Sequence, residues 1–147
     1  MENKCTKKTR ALTWWAVSVL WLALTLFLSN QVGSSSYVLS TKTADSVWTP
    51  LVKLFPGLDA EDFHFFIRKS AHFGVHAILA FSVFRASFRT FRRKGVALIF
   101  ALALSGIIAI FNELVQLRAP GRVWAITDAG LNLLGVCIGT CLSATLP

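Results

Sequence analysis

The chain has 147 residues, 54% of them hydrophobic, with 15 Lys+Arg against 7 Asp+Glu and a net charge of +8. Charged residues make up 15%, against about 25% in a soluble domain, which argues against both a disordered chain and a soluble enzyme. Nucleic-acid binding would place the basic residues on a solvated face. Here they stand at the ends of long apolar runs, so no nucleic-acid partner is expected and a membrane arrangement is.

A bilayer core needs about 20 apolar residues per helix. Ala11–Leu28 is an uncharged run preceded by Lys4, Lys7, Lys8 and Arg10. It is longer than a signal-peptide core and no Ala-x-Ala follows, so it reads as a retained helix. Ser29–Asp62 is a long extracytoplasmic segment with a polar start, then an apolar patch, Val47–Phe55, read as lying on the membrane surface. Pro56-Gly57 makes a turn, and Asp59 then caps a helix whose first turn carries Glu61 and Asp62, acids that suit the positive end of the helix dipole. Phe63–Phe84 is read as a second span although Arg68, Lys69, His72 and His76 lie in it. Gly95–Leu117 and Asp128–Leu146 are the third and fourth. The expected fold is therefore all-α: one domain over residues 1–147, an integral membrane four-helix bundle. Cys5, Cys137 and Cys141 make no disulfide framework, and the last two are expected to be small apolar fillers.

Orientation follows Lys/Arg in the short loops. The N-terminus has four and Arg85–Lys94 has five; the other side has Lys42, Lys53, Arg118 and Arg122. Both termini are thus expected to be cytoplasmic, with membrane lipids as partners of the basic loops.

Ionisable groups inside a span cost about 2.5–3.5 kcal/mol each on insertion scales, so their placement needs a reason. Counting from Arg68, His72, His76 and Lys69 fall at roughly 40°, 80° and 100°, on one face. Asn112, Gln116 and Glu113 fall at roughly 0°, 40° and 100° on the third helix. Asp128, Asn132, Gly135 and Gly139 share one face of the fourth. The topology brings all three faces to the outer leaflet, where Ser29, Asn30 and Gln31 end the first span and the loop above carries Arg118 and Arg122. Simpler roles stand beside this one. Arg68 and Lys69 can snorkel to the surface. Glu113, Gln116 and Asn132 can serve as interhelical ties, and Gly135 and Gly139 as a close packing seam. His72 and His76 have the i, i+4 spacing of metal ligands, but no Cys or third His lies beside them, and neither metal nor cofactor is expected.

The stretch RKSAHFGVHAILAF (68–81), NELVQLRAPGR (112–122), and Asp128, Asn132, Gly135 and Gly139 resemble the VanZ-like family, over nearly the whole chain from about Trp14. Val75 and His76 stand where that family often has Glu then Tyr, Val115 where it often has His, and Asn112 where an acid is common. His76 is then a candidate relocated imidazole. The resemblance implies a multi-pass protein of the bacterial cytoplasmic membrane, in a family associated with teicoplanin resistance. Two readings follow. In the first, an enzyme acts in the outer leaflet on a lipid or lipid-linked cell-wall precursor. Arg68, Arg122 and Lys69 hold a phosphate or carboxylate, His72 and Glu113 exchange protons, and Asp128 orients His72 or pairs with Arg122. His76, Asn112, Gln116 and Asn132 complete the ligand-binding set. In the second, the same cluster of a non-catalytic accessory protein binds an envelope ligand or a glycopeptide, or holds the helices together.

Overall fold

The computed structural model describes residues 4–29, 42, 46, 48, 59–116, 118 and 126–146. Four helices account for nearly all of them: α1 (Lys4–Ser29), α2 (Ala60–Phe91), α3 (Lys94–Gln116) and α4 (Ile126–Thr145). No strand occurs among the described residues. Each helix is long and apolar enough to cross a membrane. They run past the ends of the apolar stretches because backbone pairing within a helix satisfies N–H and C=O groups whatever the side chain. At about 1.5 Å per residue, the 32 residues of α2 outreach a 30 Å hydrocarbon core.

Each end of α2 has a local cause. Asp59 is the N-cap, its carboxylate accepting the Glu61 N–H at 2.8 Å. At the other end Arg92 turns into the left-handed region, φ 57°, ψ 13°, and its N–H closes on the Phe88 carbonyl. The Arg92-Arg93 turn that results lets α3 run back antiparallel.

The bundle is apolar outside and small inside. Leu20, Phe27, Ile99, Ile107, Phe111 and Leu142 are exposed. The interior is built from Ala80, Ala86, Ala97, Ala101 and Ala109, with Ser82, Ser87, Ser105, Thr140 and Ser143. Lipid is as apolar as leucine, so helices in a bilayer associate through close backbone approach rather than burial of bulk. The α2–α4 seam shows this most clearly: a Cβ on Gly135 would strike the Phe73 carbonyl, and one on Gly139 the Ala77 carbonyl. Cys137 and Cys141 lie on the side of α4 opposite Asp128 and are exposed there, so they fill no space in the bundle; the glycines, Thr140 and Ser143 occupy the inward face. One apolar layer, Leu79, Val83, Phe84, Ala97 and Ala101, closes the bundle toward the Arg92 end.

Hydroxyl groups tie α1 in. Ser18 donates to Ser82 at 3.0 Å, and the Trp21 indole N–H donates to the Val75 carbonyl at 2.8 Å. Most of the Val47–Phe55 patch lies outside the described residues; Trp48 packs on Phe63, ring centroids 5.3 Å apart.

A candidate polar site at one end of the bundle

Three helices contribute the site, and the ends they contribute lie together. The start of α2 brings Lys69, His72 and His76; the end of α3 brings Asn112 and Glu113; the start of α4 brings Asp128 and Asn132. His72 stands between two carboxylates. Its Nδ1 lies 3.7 Å from Glu113 Oε1, and its Nε2 lies 4.0 Å from Asp128 Oδ2. Glu113 is buried, and Oε1 also accepts the Asn132 amide N–H at 2.6 Å. Asp128 Oδ1 takes the Lys69 ammonium, which also donates to Thr127 Oγ1 at 3.0 Å and lies over the Phe65 ring. Both carboxylates thus lie near the same imidazole, Glu113 beside the Asn132 amide and Asp128 beside the Lys69 ammonium.

Such an imidazole can pass a proton in either direction, because both ring nitrogens face an acceptor on a different helix. Lys69 balances Asp128, and the Asn132 amide holds Glu113 in place.

Other residues fall elsewhere. Arg68 is exposed, outside the cluster that its neighbour Lys69 joins. Asn112 is buried and its Oδ1 accepts from Ser29 Oγ at 2.5 Å, tying α1 to α3. Gln116 is half-buried at the end of α3. His76 is buried one turn below His72, with no hydrogen-bond partner on either ring nitrogen. Asn30, Gln31, Pro120, Gly121 and Arg122 lie outside the described residues. Among the described residues no group of three His, Cys, Asp or Glu is placed to hold a metal.

One feature beside the cluster is absent from any sequence reading. A groove of about 640 Å³ runs along the outer surface of the α2–α4 seam, within the size range of small-molecule pockets. Phe65, Phe66 and Phe73 form one wall, and Leu131 and Leu134 the other. Lys69 and Thr127, both in contact at the ammonium, stand at its polar side. Gly130 leaves it open, since no atom lies within 4 Å of where its Cβ would be.

The helices and cluster together define a four-helix membrane protein with a polar site at one end of its bundle. Residues 14–146 match the family model described as VanZ/LLP1, and the chain belongs to that family. No curated protein and no solved structure matches it.

Proposed function

We propose that this protein lies in the bacterial cytoplasmic membrane with both termini cytoplasmic, and that its polar cluster binds and acts on a lipid or lipid-linked cell-wall precursor in the outer leaflet. The observation that carries this reading is the His72 imidazole held between Glu113 and Asp128, with Lys69 shared between that cluster and the lipid-side groove. A ligand with a hydrocarbon chain in the groove would present its anionic headgroup to Lys69, and Arg68 and Arg122 are the further cations for it. His72 and Glu113 then serve as the acid/base pair. The Lys/Arg asymmetry supports the orientation. Reporter fusions at Ser35, Thr90 and Pro120 test it: outside, inside and outside are expected, and an external Thr90 overturns the shared outer-leaflet site.

One observation favours a second reading. Ser29–Asn112, Lys69–Asp128 and Asn132–Glu113 tie α1 to α3, α2 to α4 and α3 to α4, as the polar contacts of a non-catalytic accessory protein would. Profiling of lipids and peptidoglycan precursors in cells with and without the gene, alongside teicoplanin susceptibility, separates the two. Under the first reading a lipid-linked species accumulates when the gene is lost. An unchanged pool refutes the catalytic reading and leaves the accessory one.

A further inference from the structure

The groove on the outside of the α2–α4 seam and the carboxylate cluster share one side chain, Lys69. The groove's lining runs from Phe65 to Phe73 on α2 and from Thr127 to Leu134 on α4. At about 1.5 Å per residue that is roughly 10–12 Å, most of one leaflet of a hydrocarbon core about 30 Å thick. It therefore matches a chain confined to one leaflet; a longer chain would find wall for only part of its length. Lys69 and Thr127 stand at the end where α4 begins, and Phe73 and Leu134 make the other end apolar. A chain lying here gains little over one in the bilayer, because lipid is as apolar as leucine. What the groove adds is placement of the head at Lys69. That ammonium is already engaged: it meets Asp128 Oδ1, donates to Thr127 Oγ1 at 3.0 Å and lies 5.1 Å from the Phe65 ring centroid. Lys69 lines the groove and Asp128 does not. Asp128 Oδ2 stands 4.0 Å from His72 Nε2, beyond hydrogen-bond reach. Both partners of the pair are largely shielded, 14% and 13% exposed, so neither gives up the other without a replacement.

We infer that the groove seats one acyl chain of an anionic glycerophospholipid, whose phosphate takes the Lys69 ammonium from Asp128, and that Asp128 then closes on His72 Nε2. No covalent bond changes. One ion pair, Lys69–Asp128, is exchanged for two contacts, Lys69 with phosphate and Asp128 with His72. The lipid's own charge is what brings the second carboxylate onto the imidazole, whose Nδ1 already stands 3.7 Å from Glu113. Charge also selects the head. A zwitterionic lipid carries a cation beside its phosphate and competes poorly with Asp128 for Lys69; a net anion has no such internal partner. Lys69 and Asp128 are positioning residues here, acting through His72. The inference rests on the reading of the cluster as a lipid site, and it narrows the lipid to one with a chain of leaflet length and a net negative head.

The chain has three histidines, so the full-length protein with ¹⁵N-labelled histidine and His64→Gln, in phosphatidylcholine nanodiscs, leaves only the signals of His72 and His76. Added phosphatidylglycerol is expected to shift the His72 signals saturably. One lysine favours an anionic head about fivefold, so half-response should fall near one phosphatidylglycerol per five phosphatidylcholine. No atom lies within 4 Å of the Gly130 Cβ position, so Gly130→Trp grows from an open position into the groove and should abolish the shift. Leu142→Trp, exposed on the same helix and outside the groove, should leave it unchanged. Lys69→Met frees Asp128 without lipid and should show the shifted His72 signal in phosphatidylcholine alone. No response to phosphatidylglycerol, or an equal response in Gly130→Trp, overturns the inference. An unshifted signal in folded Lys69→Met overturns the exchange of partners. A response to a polyprenyl phosphate with none to phosphatidylglycerol overturns the glycerophospholipid assignment and leaves the reading of a lipid site standing. No turnover is measured here, so precursor profiling succeeds or fails independently.

Discussion

Gly139→Ala adds one methyl group, and the structure states where it goes. The new Cβ would lie 2.7 Å from the Ala77 carbonyl carbon and 2.8 Å from Ala77 Cα, and closer still to the carbonyl oxygen. Carbon atoms attract best at about 3.5 Å or beyond, so the carbonyl carbon alone requires α2 and α4 to part by about 0.8 Å, and the nearer oxygen by more. The opposing atoms are backbone and cannot rotate away. The same seam carries the Ser143 bond to the Phe81 carbonyl at 3.0 Å and, toward its other end, the Lys69–Asp128 pair. Overpacking of this kind costs about 1–3 kcal/mol, and the upper part of that range is expected here. Gly74→Ala is the matched control. It lies on α2 with nothing within 4 Å of its Cβ position, so the same methyl should gain up to about 1 kcal/mol of helix propensity. Thermal unfolding of the detergent-extracted proteins, read by loss of monodisperse protein, should lower the midpoint for Gly139→Ala and hold or raise it for Gly74→Ala. Equal effects at the two positions would refute the backbone-contact account of the seam.

Two further outcomes follow from the same structure. The Lys69 and Asp128 side chains are 14% and 13% exposed, so removing either partner alone should cost on the order of 3 kcal/mol by leaving a poorly solvated charge. Lys69→Met with Asp128→Leu should recover most of that stability without restoring function, and a double variant as unstable as the sum of the singles contradicts it. At the α2–α3 turn, Arg92→Gly relieves a left-handed backbone and should stabilise by about 1 kcal/mol, with no loss of phenotype because it lies at the opposite end from the cluster. A lower unfolding midpoint would show that the Arg92 side chain outweighs its backbone strain.

The helices were legible because an uncharged apolar run of membrane length has few alternatives. The polar faces were legible by angle and topology, and the structure places His72 near both Glu113 and Asp128, with Asn132 bonded to Glu113. Angle could not separate Arg68 from Lys69, about 100° apart. Lys69 meets Asp128 and Arg68 does not, and only the position of α4 against α2 decides this. Of the α1 stripe of Ser18, Thr25 and Ser29, buried at intervals of seven and four, only Ser29 is singled out by the sequence reading, although small polar residues at helical spacing inside an apolar run are a readable signal. The groove was beyond reach, since it is shaped by how two helices cross and by no residue in particular. The side of α4 that carries Cys137 and Cys141, opposite Asp128, was legible by angle; that this side is exposed was not, since it depends on the glycines a turn apart claiming the inner face.

His72→Gln tests the central claim most directly. Glutamine keeps a neutral polar group between Glu113 and Asp128 and can replace an imidazole hydrogen bond, but it cannot take and release a proton near neutral pH. Interhelical hydrogen bonds in membranes average about 0.6 kcal/mol, so folded protein should accumulate almost normally. If His72 moves protons, resistance or product level per folded molecule should fall by about 10²–10⁴-fold. Full activity in His72→Gln would contradict the account and leave a VanZ/LLP1 protein whose polar cluster only binds a ligand or holds its helices together.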